Sequence, residues 1–156
     1  MIAIDTNLLV FAHRMQVPEH RAAKEAIGKA SRDSGGWGFA LTSLLEFWSI
    51  VTHPAPPPRP STPAEASAFV QALIRDADAQ IWLPREGFGQ RLIRLGSDLR
   101  VCGSRIFDLT IALTAFEAGA LEIWTHDLGF LSLPGLRTVF PLTRSRDRRR
   151  QGSVTK

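Results

Sequence analysis

Short apolar runs alternate with stretches of helical periodicity along this 156-residue chain. Apolar residues at three- and four-residue spacing predict helices, and short continuous apolar runs predict strands. The predicted strands cover residues 2–4, 37–41, 81–83, 121–125 and 138–140. The predicted helices cover residues 7–14, 20–31, 44–52, 86–99 and 105–118, with one more opening at Thr62. Strands that alternate with helices favour an α/β domain with a parallel sheet.

A proline-rich segment separates the first half of these elements from the second. Residues 54–63 hold six of the ten prolines, and proline suits neither a helix interior nor a central strand. We interpret the segment as a stiff surface connection, with a polyproline ligand for a partner as the alternative. Directly after it, Thr62-Pro63-Ala64-Glu65 predicts a helix start with an N-cap, a first-turn proline and a capping glutamate.

The charge is unevenly distributed along the chain. The whole sequence has 19 Lys+Arg and 15 Asp+Glu, a net charge of +4, and a pI near 10.2. Residues 144–156 hold six basic residues and one acidic residue, which leaves residues 1–143 with a net charge of −1. We therefore predict a nearly neutral domain over 1–143 and a basic tail over 144–156. Its arginines are candidates for phosphate contacts, although a solvated, disordered end is the interpretation we favour.

The cysteine count and the apolar runs exclude several classes of protein. Cys102 is the only cysteine, which excludes an intramolecular disulfide and a multi-cysteine zinc site. No stretch approaches the roughly 18 apolar residues of a membrane helix. The first residues lack the basic region of a signal peptide. We expect a soluble, cytoplasmic protein that does not enter a membrane.

Two aspartates follow predicted strands directly. Asp5 follows the first strand and opens a helix, and Asp127 follows the strand LEIWT. The carboxyl ends of parallel strands meet at one edge of a sheet, where the sites of open α/β folds lie. A helix N-cap or a turn explains either residue equally well.

Asp108 is harder to explain as a structural residue. Within the helix predicted over 105–118, Thr110, Thr114 and Glu117 mark a polar stripe, and Asp108 points to the opposite, apolar side. A buried carboxylate must be paired, protonated or bound to a cation. Arg105 is a possible local partner. An N-cap role for Asp108 requires that the helix begin at Leu109.

Glu46 has the weakest pattern of the four acids. Ser43-Leu44-Leu45-Glu46 matches a capping box, so the glutamate has a complete structural explanation. Glu46 is a candidate site residue only because the other three acids are present.

Four carboxylates without a cluster of His or Cys favour Mg²⁺ or Mn²⁺ over zinc. Divalent ions would offset the repulsion between the acids, bind phosphate oxygens and activate a water for phosphodiester hydrolysis. Thr6, Asn7 and Thr125 lie beside these acids in the sequence. They are candidates to support the ligands or to position the water, although turn hydrogen bonds explain each as readily.

Four segments together resemble PIN-domain nucleases, most closely the VapC-type toxins of bacterial toxin–antitoxin pairs. The segments are IAIDTNLLVFA, LTSLLEFWSIVTHP, RIFDLTIALTAFEAGA and IWTHDLGF, and the likeness extends from residue 1 to about residue 142. The resemblance implies a three-layer fold, with a central parallel sheet of four to five short strands and helices on both faces. It also implies a Mg²⁺-dependent endoribonuclease that is inhibited by an antitoxin encoded nearby and that frequently forms a homodimer.

The same resemblance assigns roles to the four acids. Asp5 and Asp108 would be the principal metal ligands, and Asp127 and Glu46 would complete the acidic pocket, directly or through water. Thr125 matches a hydroxyl position of the family. Some relatives have a further acid just after the last aspartate, where this chain has Leu128-Gly129-Phe130, so a complete second metal site is not implied.

Two other functions stay open from the sequence. One is a PIN-type RNA-processing nuclease that has no antitoxin. The other is a non-catalytic α/β binding or regulatory module, such as a phospho-receiver domain. Against a receiver, Asp5 is not part of an acidic pair, and the three lysines, Lys24, Lys29 and Lys156, lie far from the last strands.

Overall fold

Five short parallel strands form the central sheet of the computed structural model, which describes residues 1–54 and 59–142. The sheet order is β3-β2-β1-β4-β5. The strands are β1 (Ile2–Ile4), β2 (Trp37–Ala40), β3 (Gln80–Trp82), β4 (Glu122–Trp124) and β5 (Arg137–Val139).

Six helices connect these strands within the described residues. They are α1 (Thr6–His13), α2 (His20–Ala30), α3 (Leu41–Thr52), α4 (Pro63–Ala77), α5 (Phe88–Asp98) and α6 (Arg105–Ala118). The helix predicted at Thr62 is confirmed: the Thr62 hydroxyl accepts a hydrogen bond from the Glu65 amide, and the Glu65 carboxylate accepts one from the Thr62 amide.

The strands separate two hydrophobic cores because successive strand residues point to opposite faces. Ile2 and Ile4 of β1 pack with apolar residues of α1 to α4, whereas Ala3 packs with apolar residues of α5 and α6. Both faces of the sheet are therefore covered, and the prediction of a three-layer α/β fold is confirmed.

The order of the strands reverses at β1. The chain runs outward from β1 through β2 to β3 and then crosses back to β4 on the other side of β1. Ile4 lies beside Trp124 in the parallel register, and the Asp5 amide donates to the Trp124 carbonyl at 3.0 Å. This reversal places the ends of β1 and β4 next to each other, at the position where open α/β sheets bind ligands.

Helix α3 begins three residues earlier than predicted. Its N-cap is Ala40, which makes no side-chain cap bond, so Ser43 lies in the first turn of the helix. The predicted Ser43–Glu46 capping box is therefore wrong. The apolar run FALTSLLEF cannot mark where β2 gives way to α3, because a buried strand and a buried helix start are equally apolar.

Two predictions fall partly outside the described residues. Residues 55–58 belong to the proline-rich segment, and residues 143–156 include the whole predicted tail. The division into a domain over 1–143 and a tail over 144–156 stays a prediction. Within residues 1–54 and 59–142, no helix is long and apolar enough to cross a membrane.

Candidate active site

Asp5 is the most deeply placed of the four acids. It is 5% exposed and caps α1, with its Oδ1 accepting a hydrogen bond from the Thr6 amide at 2.7 Å. Its Oδ2 accepts from Asn7 Nδ2 at 2.7 Å and from the Thr125 hydroxyl at 2.6 Å. Burial raises the pKa of Asp5 to about 6, because these hydrogen bonds only partly offset the desolvation and the Glu46 charge adds to it.

Asn7 and Thr125 connect the segments that follow β1 and β4. Asn7 Nδ2 also donates to Thr125 Oγ1 at 2.9 Å, and Asn7 Oδ1 accepts from the His126 amide at 3.0 Å. Thr125 Oγ1 accepts in addition from the Asp127 amide at 3.0 Å. The network therefore fixes the start of α1 against the turn that carries Asp127. All three residues predicted to support the acids, Thr6, Asn7 and Thr125, donate a hydrogen bond to Asp5.

Glu46 reaches the same site from α3. Because α3 begins at Leu41, Glu46 lies inside the helix and is not occupied by a capping box. Its Oε2 accepts a hydrogen bond from the Thr6 hydroxyl at 2.6 Å. Thr6 thus connects Glu46 to the start of α1, where its amide also binds Asp5.

Asp108 lies in the first turn of α6, on the opposite side of the site. The helix begins at Arg105, so the N-cap role that required a start at Leu109 is excluded. Oδ2 accepts from the Leu131 amide at 3.4 Å and lies 3.7 Å from Arg105 Nη1. Burial raises the pKa of Asp108, the nearby Asp127 charge raises it further, and the Leu131 amide and Arg105 lower it.

Asp127 is exposed in the turn after β4. Its Oδ1 accepts from the Gly129 amide at 2.8 Å, so the turn role expected of it is present. The same residue is close enough to Asp108 to raise that residue's pKa. A structural role and a place in the site therefore coexist in one side chain.

The four acids line one open cleft of about 280 Å³. They come from four separate elements of the chain: Asp5, Glu46, Asp108 and Asp127. Among residues 1–54 and 59–142, no three His, Cys, Asp or Glu side chains are grouped closely enough to hold a metal ion by themselves. Any cation here would need water or substrate oxygens to complete its coordination.

Sequence analysis missed the apolar part of the cleft. Val10, Phe11, Ile50 and Ile111 share its lining with the acids. In the sequence, these four are apolar residues of predicted helices, and nothing distinguishes them from core residues. Sequence analysis also missed the hydrogen bond from Arg105 to the Gly129 carbonyl, because the two residues are 24 positions apart.

Comparison with known proteins identifies the family. VapC ribonuclease Mb2897 of Mycobacterium bovis is 30% identical over 142 residues, which cover 91% of this chain and 96% of that protein. The chain belongs to the VapC family of ribonucleases. No protein-family model matches it. Its membership confirms the predicted resemblance to the PIN-domain VapC toxins, so the protein is a ribonuclease toxin of the toxin–antitoxin type.

Solved structures agree with this VapC fold. One is VapC20 of Mycobacterium tuberculosis, described as a Sarcin-Ricin loop cleaving toxin. It matches with a TM-score of 0.63 at 14% identity, and the match covers 85% of this chain and 98% of VapC20. The VapBC2 of Rickettsia felis, bound to a promoter DNA fragment, has a TM-score of 0.60 at 18% identity, covering 89% and 98%. At these identities the likeness shows the fold alone.

Proposed function

We propose that this VapC protein is a Mg²⁺-dependent endoribonuclease in which Asp5, Asp108 and Asp127 hold the metal, directly or through water, and Glu46 is the fourth catalytic acid. One observation carries the proposal: carboxylates from α1, α3, α6 and the turn after β4 line a single cleft. Two of them, Asp5 and Asp108, have raised pKa values because burial and neighbouring acids destabilise their charge. Mn²⁺ is the expected substitute.

The donor set fits a hard divalent cation. Mg²⁺ is usually held by one or two carboxylates together with waters and substrate phosphate oxygens, so an open carboxylate cleft suits it. The unfavourable burial of Asp5 and Asp108 is the property that a bound cation relieves. When bound, the metal supplies a water of lowered pKa and a positive charge for the phosphate oxygens.

The chain's own residues position the reacting groups. Asn7 and Thr125 hold Asp5 through Oδ2, and Thr6 holds Glu46 through Oε2. Each acid therefore keeps its orientation. Among the described residues, no hydrogen bond reaches Oε1 of Glu46, whereas Oδ1 of Asp5 also accepts from the Thr6 amide. In the proposed reaction, Glu46 accepts a proton of the attacking water, the water oxygen bonds to phosphorus, and the P–O bond to the leaving ribose oxygen breaks, with that oxygen taking up a proton.

The proposed partners are an RNA substrate and a cognate antitoxin encoded beside the gene. The antitoxin is supported by the VapBC2 relative of Rickettsia felis. Homodimer formation and a cytoplasmic location, where the RNA substrate and the antitoxin would be met, belong to the same proposal. A short neighbouring reading frame whose product binds this chain and stops cleavage would support this partner, and a neighbouring product that does neither would contradict it.

A cleavage assay tests the catalytic proposal. The full chain is incubated with total RNA in Mg²⁺, in Mn²⁺ or in EDTA, beside an Asp5→Asn variant. We expect cleavage with either metal and none with EDTA or with Asp5→Asn. Asp76→Asn is the matched control, because Asp76 is an exposed acid on α4 that pairs with the adjacent Arg75. Equal cleavage by Asp5→Asn and the wild type would contradict the assignment.

A further inference from the structure

We infer that Arg105 binds a phosphate of the RNA substrate at the edge of the acidic cleft, an inference that rests on the proposed function. Arg105 is the first residue of α6. Its Nη1 donates a hydrogen bond to the Gly129 carbonyl and lies 3.7 Å from Asp108 Oδ2. The guanidinium therefore stands between Asp108 and the turn that carries Asp127.

Helix stability does not explain an arginine at this position. The N-terminus of a helix carries a partial positive charge, so a cation in the first turn is unfavourable there. The ion pair with Asp108 is a single contact at 3.7 Å, and the arginine side chain is 49% exposed. Exposed pairs of this kind contribute about 0–1 kcal/mol. The local structure thus gains little from the ion pair of Arg105 with Asp108.

The guanidinium is nevertheless held in place. A Cβ added at Gly129 would lie 3.3 Å from Arg105 Nη1 and 3.3 Å from Asp127 Oδ1, so the turn approaches the arginine closely. One of the N–H groups of Arg105 binds the Gly129 carbonyl. Because a guanidinium has five N–H groups in a planar fork, several stay available for the two oxygens of a phosphate.

The negative charge of the cleft explains why a cation is needed beside it. Four carboxylates repel an incoming phosphate, and a single divalent ion offsets only part of their charge. Among the described residues, Arg105 is the only arginine that forms an ion pair with an acid of the cleft. It therefore places a positive charge of the protein directly beside an acid of the cleft, where the phosphodiester must lie.

RNA binding in the absence of cleavage tests the inference. The affinity for a short fluorescein-labelled single-stranded RNA of mixed sequence is measured in Mg²⁺ over a range of NaCl concentrations. Every protein carries Asp5→Asn to prevent hydrolysis, and Arg105→Ala, Arg105→Lys or Arg94→Ala is added. Arg94 is the matched control because, within the described part of the chain, its exposed side chain forms an ion pair with Asp98 of α5 alone, at 4.0 Å.

We expect Arg105→Ala to weaken binding about tenfold and to reduce the slope of log affinity against log salt by about 0.7, the value of one phosphate contact on a single strand. Arg105→Lys keeps the slope and regains part of the affinity, since lysine keeps the charge but not the fork. Arg94→Ala leaves both unchanged. A purely structural arginine would change the melting temperature and leave the salt slope alone.

An unchanged salt slope in Arg105→Ala would overturn the inference. If wild-type cleavage is metal-dependent and is lost in Asp5→Asn, the proposed function then survives alone. If the wild type neither binds nor cleaves RNA at low salt, the proposed function fails and takes this inference with it. In the cleaving enzyme, Arg105→Ala should raise KM more than it lowers kcat.

Discussion

Helix α6 carries an arginine–carboxylate pair near each end, and the two pairs differ in quality. Towards the C-terminal end, Arg91 of α5 binds Glu117 through two hydrogen bonds, with Nε at 2.5 Å and Nη2 at 3.0 Å. At the N-terminal end, Arg105 approaches Asp108 through one atom at 3.7 Å. The first pair joins two helices, whereas the second lies at the edge of the cleft.

Burial alone does not separate the structural acid from the candidate catalytic one. The Glu117 side chain is 14% exposed and the Asp108 side chain is 23% exposed, so the structural acid is the more buried. The difference lies in their partners, because Glu117 has a bidentate guanidinium while the pKa of Asp108 stays raised in spite of Arg105. An acid with an incomplete set of partners is the one that has charge left for a cation.

The largest expected effect compares these two acids in cleavage. Asp108→Asn should lower the rate at least about 100-fold, because it removes a proposed metal ligand. Glu117→Gln should change the rate less than about twofold, because it only weakens a pair far from the cleft. Cleavage rates at saturating Mg²⁺ measure both. Equal losses of cleavage rate from the two changes would contradict a catalytic role for Asp108.

Asp5→Asn should stabilise the fold even though it should abolish cleavage. Asp5 is ionised at pH 7 although its pKa is raised from 3.8 to about 6, a difference that corresponds to about 3 kcal/mol. Asp5→Asn removes that cost but loses part of the hydrogen bonding. In EDTA at pH 7 we expect a net gain of about 1–2 kcal/mol in the free energy of unfolding, measured in urea.

The pH dependence of this gain has a definite sign. Below pH 3.8 the carboxyl is protonated in both states, and as the pH rises towards 6 the unfolded chain releases its proton first. The wild type therefore loses stability relative to Asp5→Asn between about pH 4 and pH 6. Mg²⁺ should reverse the order by stabilising the wild type alone. A variant that is less stable at every pH in EDTA would contradict the charge cost.

Breaking the bidentate pair should have the next largest effect. Arg91→Ala leaves the mostly buried Glu117 without its two hydrogen bonds, and part of that cost is relieved by water because Arg91 is itself partly exposed. We expect a loss of about 1–2 kcal/mol in the free energy of unfolding. RNA cleavage per folded molecule should stay unchanged. A loss of activity larger than the loss of folded protein would place α5 in the function.

Periodicity predicts this fold well because its strands and helices differ in the spacing of apolar residues. All five strands were predicted within one or two residues, as were the bounds of α6. The start of α3 was not, since no change of pattern separates it from β2. That single error gave Glu46 an apparent capping role beside its candidacy for the site.

The polar stripe predicted for α6 does not mark the exposed side of that helix. Thr114 belongs to the predicted polar stripe of α6 but is buried, with its hydroxyl donating to the Thr110 carbonyl, while Phe107 and Phe116 are exposed. A threonine can satisfy its hydroxyl on its own helix, so it does not mark the solvent side. A carboxylate cannot do this, and for that reason only the acid was informative.

The smallest expected effect concerns Arg105, at the N-terminal end of α6. Arg105→Ala should change the free energy of unfolding by less than about 0.5 kcal/mol, because the half-exposed ion pair with Asp108 gains little and the cation opposes the helix dipole. The exposed Gly129 carbonyl, which loses its hydrogen bond from Arg105, is then bound by water. Urea denaturation beside Arg91→Ala measures the difference between the two ends of α6. If Arg105→Ala is as destabilising as Arg91→Ala, then Arg105 fastens the Gly129 turn to the helix, and its placement has a structural reason that would compete with RNA binding.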